Sequence, residues 1–300
     1  MNIGLLNTFW YWMSERHRIY LKRQQGDVWP WTSDPILGEY KFTNVYRQLD
    51  RVTQEWTVRK ERLKRLSAPA LLTHLLTFRM FNLPSTYDHL LVAGVLHTND
   101  GSFNLRRAKT VLKTMTAKKM QVFTGAYIIT NSGQSRPKIE LVSEAIAAMV
   151  KDADHIVSTI RAEKTMQFAV SKISEYPLVG QFIGYELVCD MRFTPILKDA
   201  TDVLTWANPG PGAQRGLNRI FRGDSRDRPK SNSTAIYLNE MRMLYKMACH
   251  GGKMDAQVLE SPWPFELREI EHSLCEFDKY VRVRNGEGRP RSKYRPPKGE

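Results

Sequence analysis

Residues 176–222 read YPLVGQFIGYELVCDMRFTPILKDATDVLTWANPGPGAQRGLNRIFR, and the order of features in this stretch predicts the fold. A tight turn at Val179-Gly180 precedes a helix-length apolar run, and a second turn, rich in glycine and proline, precedes a basic helix. The first N–H groups of a helix have no internal partner, and the helix dipole favours an anion beside them. The stretch therefore predicts a helix-hairpin-helix element that holds a nucleic-acid backbone.

The composition of the 300 residues indicates a globular protein that binds a polyanion. Hydrophobic residues make up 42% of the chain and aromatic residues 10%, which is enough to build a core. Lys and Arg number 45 against 31 Asp and Glu, which leaves a formal net charge of +14. This balance is typical of proteins that bind nucleic acid, although a charged surface also serves plain solubility.

The three cysteines, Cys189, Cys249 and Cys275, lie far apart in the sequence. They form no CxxC pair, so the sequence favours reduced thiols in a cytosolic protein over a disulfide scaffold or a zinc site. No apolar run reaches the roughly 18 residues that a membrane-spanning helix needs, and the N-terminal segment has the wrong charge order for a signal peptide. We therefore expect no membrane partner.

Outside the central stretch, the sequence predicts a mostly helical chain. Helical spacing or composition predicts helices over residues 2–24, 43–63, 68–81, 87–97, 105–120, 140–170 (as one helix or two), 235–247 and 262–280. Residues 123–130 favour a buried turn over a strand. Residues from 281 onward are rich in Gly, Pro and Arg, and on composition alone they predict a disordered basic tail. Arg79 lies inside the apolar run 68–81 and needs a partner, for which an internal carboxylate is favoured over a phosphate.

Several catalytic motifs are absent from the printed sequence. It contains no GxxxxGK[ST] phosphate-binding loop, no HxE and CxxC pair of a zinc deaminase, no GxSxG elbow and no HExxH metal motif. We therefore expect the chemistry to rest on carboxylates, arginines or backbone groups.

The spacing Pro177-Leu-Val-Gly180, followed by Gly184, resembles the hairpin of the helix-hairpin-helix DNA glycosylases. In that family an aspartate follows the hairpin and stabilises positive charge at the sugar. Phe182 stands where the lyase-active members carry a lysine nucleophile, so the resemblance does not support imine chemistry. The turn at residues 208–216 is also not a standard glycosylase element.

A more particular resemblance covers residues 38–295. The segments EYKFTNVYRQLDRVTQ, FRMFN, FTGAYIIT, VGQFIGYELVCDMRFT, GPGAQRGLNRI and IEHSLCEFDKYVRVRNGEGRPRSKY, in this order, resemble phage enzymes of thymine hypermodification. These are the α-glutamyl/putrescinyl-thymine pyrophosphorylases, or amino acid:DNA transferases, whose glycosylase-like helical domain is shared with 5-hydroxymethyluracil DNA kinases. The chain lacks the kinase's phosphate-binding loop, so it looks like the transferase.

This resemblance implies a mainly α, two-lobed helical fold that is similar to the helix-hairpin-helix DNA glycosylases. The implied division is an N-terminal helix and aromatic linker over residues 1–37, a helical domain with a DNA cleft over 38–282, and a basic tail over 283–300. Because the segment GEGRPRSKY belongs to the family pattern, the resemblance implies that it docks on the globule, against the prediction from composition.

The resemblance also implies an activity and its partners. The substrate is double-stranded DNA that carries 5-(pyrophosphoryloxymethyl)uracil, and an amino acid such as glycine or a polyamine replaces the pyrophosphate. The base has to leave the stack to be reached. No cofactor is expected beyond the amine co-substrate, and the sequence leaves open whether a divalent ion accompanies the pyrophosphate. The expected setting is the cytoplasm of an infected host cell, with a functional link to a 5-hydroxymethyluracil DNA kinase. A glycosylase that excises a modified base and a non-catalytic DNA-binding subunit remain the alternatives.

Candidate site residues follow from the same resemblance and from residue type. Asp202 is the expected catalytic carboxylate, with a helix cap or ion pair as its alternative role. Asp190 is the reserve choice, although capping or pairing with Arg192 is favoured for it. The expected substrate or pyrophosphate ligands are Asn44, Arg47, Arg51, Arg79, Asn82 and Arg215. The expected DNA contacts are Gly180, Gln181, Gly184, Gly210, Gly212 and Lys279.

Overall fold

The computed structural model describes residues 1–125, 133, 135–252, 254–288, 290 and 292–294. In this part of the chain there are fourteen α-helices, one short 3-10 turn at Arg47–Leu49, and no strand beyond two isolated β-bridges. The prediction of a mainly α fold is confirmed. The helices are α1 Ile3–Gln25, α2 Pro35–Glu39, α3 Arg51–Glu61, α4 Ala68–Phe81, α5 Pro84–Val92, α6 Leu105–Ala117, α7 Lys138–Lys151, α8 Ala153–Glu163, α9 Met166–Ile173, α10 Gln181–Met191, α11 Pro211–Arg222, α12 Ser233–His250, α13 Ala256–Leu259 and α14 Leu267–Arg284.

The chain forms two compact units. Unit 1 combines Met1–Asp50 with Val203–Glu300, and unit 2 is the continuous stretch Arg51–Asp202. These boundaries differ from the domain boundaries expected at residues 37 and 282. The N-terminal helix is not a separate domain of its own, because α1 contacts α11, α13 and α14 within unit 1.

Unit 2 is built around α4. Ser67 caps this helix by accepting a hydrogen bond from the N–H of Ala70, and the helix ends at Asn82, which adopts a left-handed conformation. The apolar run buries Leu72, Leu75 and Leu76 completely. The helix contacts α5, α7, α8 and α10, so the predicted buried helix over 68–81 is confirmed.

Unit 1 is built around the contact of α11 with α14. A Cβ atom added at Gly212 would overlap the Cys275 side chain, and one at Gly216 would overlap the backbone carbonyl of Leu274. Two glycines four residues apart therefore let the two helices approach closely. On α14, the residues predicted to face inward are all buried: Leu267, Ile270, Leu274 and Phe277.

Several predicted helix boundaries are wrong. Residues 43–46 are not helical, and regular helix begins only at Arg51. The helix expected over 262–280 begins at Leu267, after two prolines, and runs on to Arg284. The segment 140–170 contains parts of three helices, because Lys164 ends α8 in a left-handed conformation and Thr165 caps α9.

Part of the C-terminal tail docks on unit 1, so its predicted disorder is wrong for these residues and docking is confirmed. The N–H of Tyr294 donates to the carbonyl of Glu39 at 2.7 Å, and the N–H of Lys41 donates to the carbonyl of Ser292 at 3.2 Å. The Tyr294 ring lies 5.8 Å from the ring of Trp31.

Most of the predicted buried turn at 123–130 lies outside the described residues. Among the described helices, none is both long and apolar enough to cross a bilayer.

Candidate functional site

The predicted site residues fall in both units. Unit 1 contains Asn44, Arg47, Gly210, Gly212, Arg215 and Lys279, and unit 2 contains Arg51, Arg79, Asn82, Gly180, Gln181, Gly184, Asp190 and Asp202. Each group is described within its own unit.

In unit 2, the predicted hairpin joins α9 to α10. Leu178 lies in the turn with a φ of 64°, and exposed Gly180 caps α10 in an extended conformation. Gly184 is buried, because a Cβ atom there would come within 2.7 Å of the Ser174 hydroxyl at the end of α9. Gly184 therefore closes the hairpin, whereas Gly180 and Gln181 lie at the surface. The side chain of Phe182 is 47% exposed beside them.

Asp202 lies at the other end of α9. The N–H of Met166 donates to its Oδ1 at 2.7 Å, and the N–H of Gln167 donates to its Oδ2 at 3.0 Å. A carboxylate at a helix N-terminus is favoured both by these N–H groups and by the helix dipole. The alternative role as a cap is thus present in the structure. Since α9 has eight residues, Asp202 and the hairpin are separated by roughly 12 Å of helix.

Asp190 is fully buried in the core of unit 2, where it pairs with Arg79 from α4. The Arg79 guanidinium donates to both carboxylate oxygens, with Nη2 2.9 Å from Oδ1 and Nε close to Oδ2. It also donates to Thr53 Oγ1 at 3.0 Å and to Asn82 Oδ1 at 3.1 Å. The expected internal carboxylate partner of Arg79 is confirmed. The partner expected for Asp190 was wrong, because it is Arg79 and not Arg192.

This pairing bears on the roles expected for three residues. Arg79, Asn82 and Asp190 are each less than 5% exposed. A substrate would reach them only by displacing the ion pair and uncovering charges in an apolar core. We therefore interpret the group as structural. Arg51, by contrast, is an exposed residue at the start of α3, and its expected role in substrate binding stays a prediction.

In unit 1, the predicted anion-binding turn precedes α11. Gly210 caps this helix, and its N–H lies 3.4 Å from a carboxylate oxygen of Glu271 on α14. Gly212 is buried at the helix contact, so its role is in packing and it offers no surface to DNA. Arg215 Nε donates to Asp278 Oδ2 at 2.7 Å, and Arg219 and Arg282 also pair with this buried carboxylate. The turn is thus lined by protein carboxylates.

Asn44 and Arg47 lie in the segment that leads to Asp50. The amide of Asn44 accepts from Arg16 Nη2 at 2.7 Å and donates to the carbonyl of Leu49 at 2.7 Å. Its backbone N–H donates to Asp50 Oδ1 at 3.2 Å. Arg47 is only 6% exposed. These contacts fix residues 44–50 in one conformation.

Lys279 lies on the face of α14 that meets this segment. Its ammonium donates to Glu276 Oε2 at 2.6 Å and to the carbonyl of Lys41 at 2.9 Å, and it lies 4.6 Å from the centre of the Phe42 ring. Glu276 Oε2 also accepts from the N–H of Thr43 at 3.0 Å. Lys279 therefore fastens the 41–50 segment to α14, and its expected DNA contact stays a prediction.

His272 completes this cluster. Its Nε2 lies 3.3 Å from Asp50 Oδ2, and the two side chains are 16% and 19% exposed. Burial disfavours the imidazolium, but the charge and hydrogen bonding of Asp50 outweigh that cost, and the pKa of His272 rises to about 9. At neutral pH the ring is therefore a cation held against a carboxylate. We call His272, Asp50, Arg47 and Glu276 the histidine cluster.

The reasoning from sequence missed His272, Asp50, Glu271 and Glu276. A signal for two of them was present, because His272, Glu276 and Lys279 recur at helical spacing on the face of α14 opposite its apolar positions. Asp50 carried no such signal, since its partner lies more than 200 residues away. Among the described residues, no group of His, Cys, Asp or Glu is arranged to hold a metal ion.

The chain has relatives among phage proteins that act in DNA modification. Residues 4–289 match the family model of the helical domain of 5-hmdU DNA kinase. The chain therefore belongs to this helical-domain family. One curated relative, the 5-hmdU DNA kinase of Bacillus phage SP10, is 28% identical over an alignment of 287 positions, and the match covers 89% of this chain and 43% of the relative. The chain thus spans less than half the length of that protein. No solved structure matches the chain.

Proposed function

We propose that this chain is an enzyme of thymine hypermodification that replaces the pyrophosphate of 5-(pyrophosphoryloxymethyl)uracil in DNA with an amine. Membership of the 5-hmdU DNA kinase helical-domain family over residues 4–289 is the observation that carries the proposal, because it supports DNA with a modified uracil as the substrate. The net charge of +14 supports a polyanionic partner. These 300 residues contain no GxxxxGK[ST] loop, and for them we propose the transfer of an amine.

The proposed reaction makes three physical demands. The amine nitrogen attacks the 5-methylene carbon and forms a C–N bond while the C–O bond to pyrophosphate breaks. The electron pair of the C–O bond leaves with the pyrophosphate. A carboxylate has to orient the amine and accept the proton that it loses. Cationic groups have to stabilise the negative charge that develops on the leaving oxygen. The target base has to be turned out of the duplex, for which a glycosylase-like hairpin is suited.

Asp202 is our candidate for the carboxylate. It is held at the N-terminus of α9 by two backbone N–H groups, which fixes the orientation of its carboxylate. Asp190 is the weaker candidate, because Arg79 occupies both of its oxygens in the core. For the DNA backbone we propose the surface turn at Gly180 and Gln181, where α10 begins.

The decisive experiment incubates DNA that carries 5-(pyrophosphoryloxymethyl)uracil with the protein and a panel of amines that includes glycine and putrescine. The DNA is then digested to nucleosides and analysed by mass spectrometry. We expect a nucleoside whose mass has gained the amine and lost pyrophosphate. If no amine gives a mass gain, the transferase proposal is wrong, and released base or abasic sites would favour the glycosylase alternative.

Substitution of Asp202 tests the assignment within the same assay. Asp202→Asn should lower turnover while DNA binding is retained, and Asp199→Asn serves as the matched control, because Asp199 is exposed in the same segment. A non-catalytic DNA-binding subunit would keep both its binding and any complex-dependent activity in Asp202→Asn. DNA affinity should also fall steeply between low and moderate salt, since phosphate contacts release counterions.

A further inference from the structure

The histidine cluster of unit 1 holds residues 43 and 44 through Glu276 and Asp50, but the His272 ring accepts or donates no bond in that attachment. The α14 helix already buries a continuous apolar face against α11 and α12. Fixing a carboxylate and an imidazole on a partly exposed face costs desolvation without adding apolar contact. A buried charge pair whose members are still 16% and 19% exposed is an arrangement that functional sites commonly use.

The geometry leaves one donor of His272 available. Its Nε2 lies beside Asp50, and no protein partner of its Nδ1 is found among the residues that the structure describes. An imidazolium has two N–H donors; Asp50 holds the Nε2 side of the ring as an ion pair, and the Nδ1 N–H is left for a ligand. The charged groups that act on the ring are Asp50 and Arg47 from the 44–50 segment, and Glu276 and Glu269 from α14 itself.

We propose that His272, oriented by Asp50 and neighboured by Arg47, binds the diphosphate group of the substrate and of the released pyrophosphate. A planar guanidinium and an imidazolium are the donors that suit phosphate oxygens. Asp50 is then a positioning residue, because it keeps the ring charged and turned toward the ligand. This inference rests on the proposed function for the identity of the anion, and it gives the role of leaving-group ligand to a histidine that the sequence reasoning did not single out.

The test measures binding of inorganic pyrophosphate to the full chain in the absence of amine and modified DNA. Histidine side chains labelled with 15N are observed by NMR while pyrophosphate is added. We expect the His272 signals to shift with saturation, and His272→Gln to weaken binding by about 10- to 100-fold, the range for a lost hydrogen bond to a charged group. His250→Gln is the matched control, since His250 is exposed elsewhere in unit 1.

Asp50→Asn gives a second, independent readout that keeps the ring in place. The pKa of His272 should fall from about 9 toward the ordinary value of 6.5. Pyrophosphate binding should then persist near pH 6 and weaken by about pH 8, whereas the wild type retains it in both conditions. An unchanged pH profile of pyrophosphate binding in Asp50→Asn would overturn the positioning role, because a purely structural pair would lower the pKa of His272 without changing that binding.

Two further arms separate the possible outcomes. An unmodified DNA duplex in place of pyrophosphate tests whether His272 responds to backbone phosphates instead, and sulfate tests for a general anion effect. If the His272 signals do not move with pyrophosphate, or move equally with sulfate, the inference is wrong even if amine transfer occurs. If they move specifically but no amine is transferred, the inference stands and the transferase proposal fails.

Discussion

Arg79 and Asp190, 111 residues apart in the sequence, form a bidentate ion pair in the core of unit 2. The pair joins α4 to α10, and Thr53 from α3 and Asn82 from the end of α4 satisfy further donors of the guanidinium. Three helices of unit 2 are therefore tied to one buried charge. The hairpin that we propose as a DNA contact begins the same helix that carries Asp190.

Removing Arg79 alone should be strongly destabilising. Arg79→Met leaves Asp190 charged and without its main partner in an apolar core, which typically costs about 3–5 kcal/mol. The free energy of unfolding in urea measures this loss. The double variant Arg79→Met/Asp190→Leu should recover much of it, because both charges are then gone. Arg136→Gln, which breaks surface ion pairs with Glu140 and Glu144, should change stability little. A single Arg79→Met variant as stable as the control would contradict the structural role.

Gly216 should not tolerate a methyl group. Gly216→Ala places a Cβ atom into the carbonyl of Leu274, and backbone cannot move aside as a flexible side chain does. We expect α11 and α14 to separate, with a loss of about 1–3 kcal/mol in the free energy of unfolding. Gly180→Ala is the control, because no atom lies within 4 Å of its Cβ position and its φ of −77° suits alanine. Equal stability of the two variants would show that the helix contact is looser than described.

Asp202 should contribute to stability as well as to the proposed chemistry. Asp202→Ala removes the acceptors of two N–H groups at the start of α9, and a lost helix cap costs about 0.5–2 kcal/mol. Asp202→Asn keeps one oxygen acceptor and should lose less. The free energy of unfolding of both variants, measured in urea, therefore shows how much of any lost turnover is due to lost stability. If Asp202→Ala were fully stable, the capping contacts would have no energetic weight.

Stability should depend on pH through His272. Its pKa is raised from 6.5 in the unfolded chain to about 9 in the folded protein, so folding favours the protonated ring. The stabilisation is complete below pH 6.5 and is lost as the pH rises through 9. The unfolding free energy of the wild type should therefore fall across this window relative to that of His272→Gln, with His250→Gln as the control. Parallel pH profiles for the wild type and His272→Gln would refute the raised pKa.

The local parts of this fold could be predicted from sequence, and the long-range parts could not. The almost entirely apolar composition of residues 68–81 predicts a buried helix without any knowledge of its partners. The turn at Gly180 is likewise encoded within a few residues. The need of Arg79 for a carboxylate follows from desolvation, but the choice of Asp190 depends on how α4 meets α10. The error at Asp190 has the same origin, since Arg192 was the nearest cation in sequence.

The candidate site also has residues that the sequence indicates and contacts that only the fold creates. Residue type and resemblance pointed to Asn44, Arg47 and Lys279, which the structure gathers on the face of α14 together with Asp50 and His272. No spacing in the sequence brings Asp50 to His272, because the contact exists only after the two segments of unit 1 have met. Gly212 was read as a phosphate-binding glycine, yet its lack of a side chain serves the approach of two helices.

The division of unit 1 into two separate segments has a consequence for synthesis on the ribosome. Unit 2 emerges as one uninterrupted piece, whereas α1 emerges before it and its partner α14 follows α1 by roughly 240 residues. At bacterial elongation rates this interval is roughly 10–50 s. During that time Phe9, which is fully buried in the folded protein, lacks its packing partner Phe277 on α14. We therefore expect ribosome-associated chaperones to bind the nascent chain until α14 is released.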